Sequence, residues 1–329
     1  MKKIIDKDKE NKEESSLRPL RLEEYIGQEK IVNNLRIFIG AAKSRDECLD
    51  HILLYGPPGL GKTTLAYIIA LEMGTSIKVI NAPSIEKPGD LAAILSSLSP
   101  GDILFIDEIH RLPLIVEEAM YSALEDYVFQ TIINKDTTPK TIEIPLPPFT
   151  LVGATTKIGS ISSPLRSRFG YIDKLNFYKE EELVNIILRT SRVLNTEIDD
   201  KVALEIAKRS RGTPRIANRI FKRVRDYANY YGRVSITKDD AKKTLASLEI
   251  DDKGLNSVDI RYLKTLIYRF NGGPIGLETL AYAIGEDRNN LEDYNEPYLL
   301  QLNMMDRTPK GRIATEKAYK HLHINMENK

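Results

Sequence analysis

Two stretches of this 329-residue chain carry residue types in an order that does chemistry. The first is GPPGLGKT, Gly56–Thr63, which follows the apolar run HILLY (51–55) and opens a helical pattern over Thr63–Met73. It fits G-x-x-x-x-G-K-[ST] in the strand–loop–helix setting that this pattern requires. Glycines let successive backbone N–H groups turn inward, and a helix N-terminus adds partial positive charge, so the loop is built to cradle an anion. Lys62 is then expected to reach the β- and γ-phosphates of a nucleoside triphosphate, and Thr63 to ligate Mg2+. The second stretch is LFIDEIH (104–110), a buried apolar strand ending in Asp107 and Glu108. Phosphoryl transfer needs one carboxylate for the metal and one to polarise the attacking water. Carboxylates after a strand also serve as helix caps, and the phosphate loop upstream is what favours the chemical reading.

The rest of the chain must position these groups. The runs HILLY (51–55), IKVI (77–80), DILFID (102–107), TLVGA (150–154) and KLNF (174–177) read as buried strands. Between them lie helical stretches such as Thr63–Met73, closed by Gly74, and Val116–Tyr127. Alternation of near-continuous apolar strands with helices predicts an α/β fold with a parallel sheet covered on both faces. From Lys179 to about Ile250 the pattern is helical, with Ile216, Ile220, Val224 and Ala228 on one face and Thr213-Pro214 as a helix start. Asp251-Asp252-Lys253-Gly254 reads as a linker. Beyond it, helical segments near 259–270, 277–284 and 288–302 precede two short strands around Pro309-Lys310-Gly311, a winged-helix pattern. The expected organisation is a charged, disordered tail (1–16), a large ATPase domain (17–178), a small helical domain (179–253) and a winged-helix domain (254–329).

Composition narrows the classes. Net charge is +1, so bulk charge argues neither for nor against nucleic acid. Cys48 is the single cysteine, which rules out an intramolecular disulfide framework and any cysteine-rich zinc site. His321-Leu-His323 reads as a frayed polar tail. No apolar run approaches the roughly 18 residues of a membrane span, and the tail lacks the apolar core of a signal peptide. The expected location is the cytoplasm.

At this point the chain resembles the AAA+ ATPases, and among them the RuvB family of Holliday-junction branch-migration motors. The resemblance runs from about Leu17 to His321. It is carried by LRPLRLEEYIGQE (17–29), DHILLYGPPGLGKTTLA (50–66), EKPGDLAAIL (86–95), LFIDEIHRL (104–112), PPFTLVGATT (147–156), SSPLRSRFG (162–170), RSRGTPRIANR (209–219) and RTPKGRIAT (307–315). It implies ATP and Mg2+ as ligands and an ATP-driven DNA translocase in recombination and repair. It implies that Leu17, Arg18 and Ile26 line the adenine site with Tyr178. Gly59, Gly61, Lys62, Thr63 and Thr64 would hold the phosphates, with Glu125, Asp126 and Tyr127 as further nucleotide contacts. Thr63 and Asp107 would hold the metal. Thr156 would act as a first sensor near the γ-phosphate, Arg215 as a second sensor, and Arg168 as an arginine finger reaching a neighbouring subunit's ATP. Arg307, Lys310 and Arg312 at the wing would touch DNA. Implied partners are four-way junction and duplex DNA, a RuvA-type junction-binding protein, a RuvC-type nuclease and further copies of the chain in a hexameric ring, with no membrane.

Physical sense accompanies several of these roles. Ser163-Pro164 predicts a short helix bearing Arg168. Arg215 at a helix start opposes the helix dipole, and an anion there would offset that. VFQTIINKDTTPKTIEIP (128–145) reads as an inserted hairpin whose apolar residues either pack on the domain or dock the RuvA-type partner, with Ile132 and Ile133 as the expected contacts. The third helix region of the winged domain, EDRNNLEDYNEPY (286–298), is acidic, so phosphates would repel it; the basic residues lie at the hairpin. Departures from the family pattern are Lys157 after GATT, and Asn303-Met304-Met305-Asp306 before Arg307, where Asp306 is expected to weaken the wing's DNA contact. A clamp-loader-type ATPase would carry a Ser-Arg-Cys finger, where this chain has Ser167-Arg168-Phe169. A protein-unfolding machine would want an aromatic pore loop, and NAPSIEKPGD (81–90) has no aromatic residue. A nucleotide-sensing scaffold would not need both Glu108 and Arg168.

Overall fold

The computed structural model describes residues 16–133 and 140–325; the tail read over 1–16 lies, Ser16 aside, outside the described residues. The chain forms two compact units, one holding the residues up to Gly56 and Leu60–Asn176, the other Pro57–Gly59 and Phe177–Lys329. The helical and winged-helix segments, separated at 253/254 in the sequence reading, thus share one unit.

The first unit contains α1 (Glu29–Arg45), β1 (Ile52–Tyr55), α2 (Lys62–Met73), β2 (Ile77–Asn81), α3 (Pro88–Leu95), β3 (Ile103–Asp107), α4 (Leu114–Glu125), β4 (Val128–Ile133), β5 (Lys140–Pro145), β6 (Thr150–Thr155), α5 (Ser163–Arg166) and β7 (Tyr171–Lys174). Five strands pair in parallel in the order β2-β3-β6-β1-β7. The three inner strands are buried along nearly their whole length, which is why they read as unbroken apolar runs. The edge strands are half-exposed. That explains the one strand the sequence misplaces: the fifth is Tyr171–Lys174, not KLNF (174–177). YIDK carries no apolar run because it closes the sheet's edge. Leu175, just past the strand, is buried and still donates its N–H to the Tyr55 carbonyl at 2.8 Å.

Strands β4 and β5 form the expected hairpin, with Phe129 opposite Ile144. Phe129 is buried and Ile144 packs with it on the core, so that face rests on the domain. Gln130 and Glu143, one position over and hence on the opposite face, hydrogen-bond each other at 3.2 Å in the open.

The second unit contains α6 (Glu180–Val193), α7 (Asp200–Ala207), α8 (Pro214–Tyr230), α9 (Lys238–Ser247), α10 (Ser257–Tyr268), α11 (Leu277–Ile284), α12 (Arg288–Asn290), a π-helical turn (Leu291–Asn295), α13 (Glu296–Gln301), the hairpin β8 (Met305–Thr308)–β9 (Gly311–Ala314) and α14 (Glu316–His321). Ile216, Ile220, Val224 and Ala228 are buried along α8 as their spacing predicts. Thr213 sits at the cap position, but its hydroxyl donates to the Ser210 carbonyl at 3.3 Å instead of capping. The helix expected over 288–302 is interrupted. Pro297 has no N–H, and its ring would meet the Asp293 carbonyl in a regular helix, so the chain widens into the π turn just before it.

The expected linker is an ordered turn. One Asp251 carboxylate oxygen accepts the Lys253 and Leu255 N–H groups, and the other bonds His321 Nε2 at 2.7 Å. His321 is thereby anchored on α14 and is not part of a frayed tail. Beside it, Arg211 joins the helical segment to the winged helix. Its guanidinium donates to Asp259 at 3.0 Å and lies over the rings of Tyr294 and Tyr298 at 4.8 and 4.6 Å. Asp259 also accepts from Asn295 Nδ2 at 2.7 Å and from the Asn256 N–H at 2.9 Å. Both members of the pair are buried. Removing one partner of a buried pair leaves an uncompensated charge, at a cost of about 3–5 kcal/mol. Asp259→Ala should therefore lower the stability of the second unit by about that amount, read as a shifted urea midpoint. A change under about 1 kcal/mol would show that the pair does not hold the two segments together.

Candidate active site and nucleic-acid interface

In a parallel sheet all strand C-termini face one edge, where ligands of open α/β sheets bind. Because β6 lies between β1 and β3, the phosphate loop after β1, the threonines ending β6 and the carboxylates ending β3 are set side by side, with strands about 4.8 Å apart. Gly59 and Gly61 adopt φ values of 82° and 103°, a backbone region that side chains rarely occupy. A Cβ on Gly61 would strike the Tyr25 hydroxyl, which donates to the Leu60 carbonyl at 3.2 Å and braces the loop from behind. Lys62 is buried, and its Nζ donates to the Gly56 carbonyl at 2.7 Å, folding the side chain back over the loop. Thr63 and Thr64, half-buried, follow on the first turn of α2.

At the end of β3 the Glu108 N–H donates to Asp107 Oδ1 at 3.0 Å, and Asp107 Oδ2 has no protein partner among the described residues. Glu108 itself takes the left-handed conformation, φ 51°, unusual for a side-chain-bearing residue and common where function demands a particular aim. One of its oxygens, Oε2, lies 3.2 Å from both the Thr156 hydroxyl, which donates to it, and His110 Nδ1. His110 Nδ1 is also 3.0 Å from the Thr155 hydroxyl oxygen, which in turn accepts the Lys157 N–H at 2.9 Å. With a proton on Nδ1, His110 donates to both oxygens. Glu108 Oε1 has no protein partner among the described residues, so one oxygen is fixed and the other is presented. The sequence reading missed Tyr25, His110 and Thr155. The His110 signal was present, two residues after Glu108 in DEIH, but only the left-handed turn at Glu108 brings the ring back to the carboxylate.

The residues expected at the base divide between the units. In the first, Leu17 is buried, Ile26 is half-buried, and the Arg18 guanidinium lies 4.9 Å from the Tyr67 ring centre. In the second, Tyr178 is buried with its N–H on the Gly212 carbonyl at 2.8 Å. Arg215 is in the second unit as well; its N–H donates to the Gly59 carbonyl of that unit at 3.3 Å, and its exposed guanidinium has no protein partner among the described residues.

Glu125, Asp126 and Tyr127 are not brought to the phosphate loop of their own unit. The Tyr127 ring packs against His51 and Phe149, at the end of the sheet where β1 begins and not where the loop leaves it. Arg168 is also placed differently from expectation. The cap is Ser162, whose hydroxyl accepts the Leu165 N–H, and α5 ends at Arg166, so Arg168 lies past the helix. Its guanidinium donates to Glu125 at 3.1 Å and to the Pro164 carbonyl at 2.6 Å, over the Tyr121 ring. Arg168 and Glu125 thus form one cluster, away from the phosphate loop.

In the wing, Arg307 and Arg312 sit opposite each other across β8 and β9. Asp306, one position over, faces the other side of the ribbon, which removes the expected interference with Arg307. Met304 and Met305 are buried, filling the core of the winged segment. Lys310 is exposed at the turn. Ile132 and Ile133 are backbone members of β4, and their side chains lie outside the described residues.

Three family models match the chain consecutively: Holliday junction DNA helicase RuvB P-loop domain over 17–175, RuvB AAA lid domain over 178–251, and RuvB C-terminal winged helix domain over 252–323. The chain is 53% identical over 317 residues to the Holliday junction branch migration complex subunit RuvB of Limosilactobacillus reuteri, covering 96% of this chain and 94% of that one. It is 55% identical over 321 residues to the subunit of the same name from Acholeplasma laidlawii, covering 98% and 95%. Among solved structures, the Thermotoga maritima RuvB Holliday junction branch migration motor is similar at a TM-score of 0.86 and 52% identity, over 94% of this chain and 99% of that one.

Gly61→Ala places a Cβ in a disfavoured backbone region and against Tyr25. Strain of this kind costs about 1–3 kcal/mol, so the nucleotide dissociation constant should rise about tenfold or more, measured with a fluorescent ADP analogue. An unchanged constant would show that the loop's shape does not depend on that contact.

Proposed function

The chain belongs to the RuvB family, and on that premise we propose how its own residues do the work of that family. It hydrolyses ATP to drive branch migration of Holliday junctions. The observation that carries the assignment of roles is the Glu108 carboxylate, with one oxygen fixed by Thr156 and His110 and the other presented at the strand edge beside the phosphate loop. Oε1 takes a proton from the attacking water. Thr156 and His110 hold the carboxylate in that aim, and we assign Thr156 to registering the γ-phosphate. Lys62 and the loop amides bind the β- and γ-phosphates.

The residues present suit a hard divalent cation, since the Thr63 hydroxyl and the Asp107 carboxylate supply oxygen donors and Asp107 Oδ2 is unpartnered by protein. Bound there, Mg2+ would neutralise charge on the phosphates. Leu17, Arg18, Ile26 and Tyr178 are assigned to the base, and Arg215 to reporting the nucleotide's state.

Arg168, Glu125, Asp126 and Tyr127 lie away from their own phosphate loop, which supports a role toward a neighbouring subunit's nucleotide and hence a closed ring, which we take as a hexamer. Arg307, Arg312 and Lys310 are assigned to the DNA backbone. The relatives' name as a complex subunit supports partners, for which we infer a RuvA-type junction-binding protein and a RuvC-type nuclease. Among the described residues no helix is long and apolar enough to cross a membrane, and we assign the chain to the cytoplasm.

Glu108→Gln should lower ATP hydrolysis by about 10²–10⁴-fold with ATP binding retained, and should abolish ATP-dependent dissociation of a synthetic four-way junction with a RuvA-type protein present. Hydrolysis that persists would remove Glu108 from the chemistry. Intact junctions with active wild-type ATPase would remove branch migration. If Arg168 acts across subunits, Arg168→Ala and Glu108→Gln chains, each inactive, should regain hydrolysis when mixed. No recovery on mixing would place Arg168 in its own subunit's chemistry or outside it.

A further inference from the structure

The two wing arginines occupy an awkward position. Arg307 and Arg312 are direct cross-strand partners on one face of a short ribbon, where like charges repel. Between them lies Glu296, whose side chain is fully buried. Arg307 Nε donates to Glu296 Oε2 at 2.7 Å, with Nη2 on the same oxygen at 2.5 Å. Arg312 Nε donates to Oε1 at 3.1 Å and Nη2 to Oε2 at 3.4 Å. The Glu292 carbonyl accepts Arg307 Nη2 at 3.3 Å. From behind, the Tyr262 hydroxyl donates to Glu296 Oε1 at 2.8 Å. Burial, and then the neighbouring Glu296 charge, push the Tyr262 phenol far above its ordinary value, so it stays a donor.

Both arginines use the same edge, Nε with Nη2, to grip the carboxylate. The Nη1 group of each has no protein partner among the described residues. A second carboxylate, the half-buried Glu292, lies 3.8 Å from Arg312 Nη2, so two guanidiniums face two carboxylates and the face offers the direction of its donors, not an excess of charge. A carboxylate that is fully buried and held from behind cannot swing out to let a phosphate replace it, so it is a fixed strut and not a removable cover. The strut is aimed by the chain before it. The π turn over Leu291–Asn295 ends where Glu296 begins, and Pro297 follows it. Such turns are enriched where a side chain must be re-aimed for function.

We propose that Glu296, held by Tyr262, is a positioning residue for DNA engagement: it locks Arg307 and Arg312 so that their two Nη1 groups form a preset pair of donors for the phosphate backbone. This rests on the assignment of Arg307 and Arg312 to DNA. Without Glu296 the two guanidiniums repel across the ribbon, and at least one leaves the face.

The test is duplex binding by the full chain, followed by fluorescence anisotropy over a salt series, with circular-dichroism melting of each variant. Glu296→Gln keeps the shape and removes the charge. It should weaken duplex binding about tenfold, and the slope of log affinity against log salt should become shallower by about one, the signature of one lost phosphate contact. Tyr262→Phe keeps the carboxylate and removes only its support. It should act in the same direction, about threefold. Arg312→Ala and Arg307→Ala are the comparison. If they weaken binding while Glu296→Gln binds as tightly as wild type, or more tightly, with an unchanged slope, the positioning role is wrong and the wing assignment stands. If both arginine variants bind like wild type, the wing assignment itself fails. Should Glu296→Gln melt early, Tyr262→Phe decides: an unchanged affinity and slope overturns the proposal.

Discussion

The parallel register of β1, β6 and β3 is the constraint on which the active edge depends. Tyr55 pairs with Thr155, and Ile106 with Gly153, so the last residues of three strands reach the same edge together. A slip of one residue would turn every side chain of β6 to the opposite face and carry Thr155 and Thr156 away from Glu108 and His110. The register also explains a glycine in the middle of a buried strand. A Cβ at Gly153 would press on Ile109, Leu53 and Phe169 at 3.1–3.2 Å. Ile109 follows Glu108 directly and is fully buried. The left-handed backbone at Glu108 therefore does two things at once. It drives Ile109 into the core over Gly153, and it leaves the carboxylate at the strand edge. The strained conformation is anchored by apolar burial one residue away.

The second unit is organised by charge pairing. A charge removed from water must find a partner. Arg211 and Asp259 meet where the helical segment joins the winged helix, with Asn295 and two tyrosine rings completing the enclosure. Asn295 and Glu296 are adjacent, so the turn that completes the Arg211 enclosure also delivers the strut beneath the wing. One short stretch of backbone thus serves both the join between segments and the wing.

Much of this was legible in the sequence. The phosphate loop, the acidic pair and four of the five sheet strands show in the letters because their physics is local: glycine freedom, a helix start, and apolar runs of strand length. The fifth strand was displaced because an edge strand is not required to be apolar. Tyr25, His110 and Thr155 were invisible because each acts through contacts between separate segments or through a backbone angle that no spacing rule reports. The reading of His321 failed for the same reason, its partner Asp251 lying 70 positions earlier.

The acidic stretch 286–298 shows most clearly how charge counting differs from charge placement. Counted, its carboxylates argue that the region repels DNA. Placed, Glu286 pairs with Arg261, Asp287 caps a short helix, Glu292 lies 3.8 Å from Arg312 Nη2, and Glu296 is buried between two arginines. Asp306, equally suspect by adjacency, points away from them. The two guanidiniums of the wing face are left with most of their freedom already removed. A free arginine loses on the order of 1.5–2 kcal/mol of side-chain entropy when it is fixed, and a motor that follows any sequence would meet that cost at every new phosphate. Fixing the side chains during folding moves the cost out of the binding step. A buried carboxylate that lowers the net charge of the wing can in this way strengthen its hold on a polyanion.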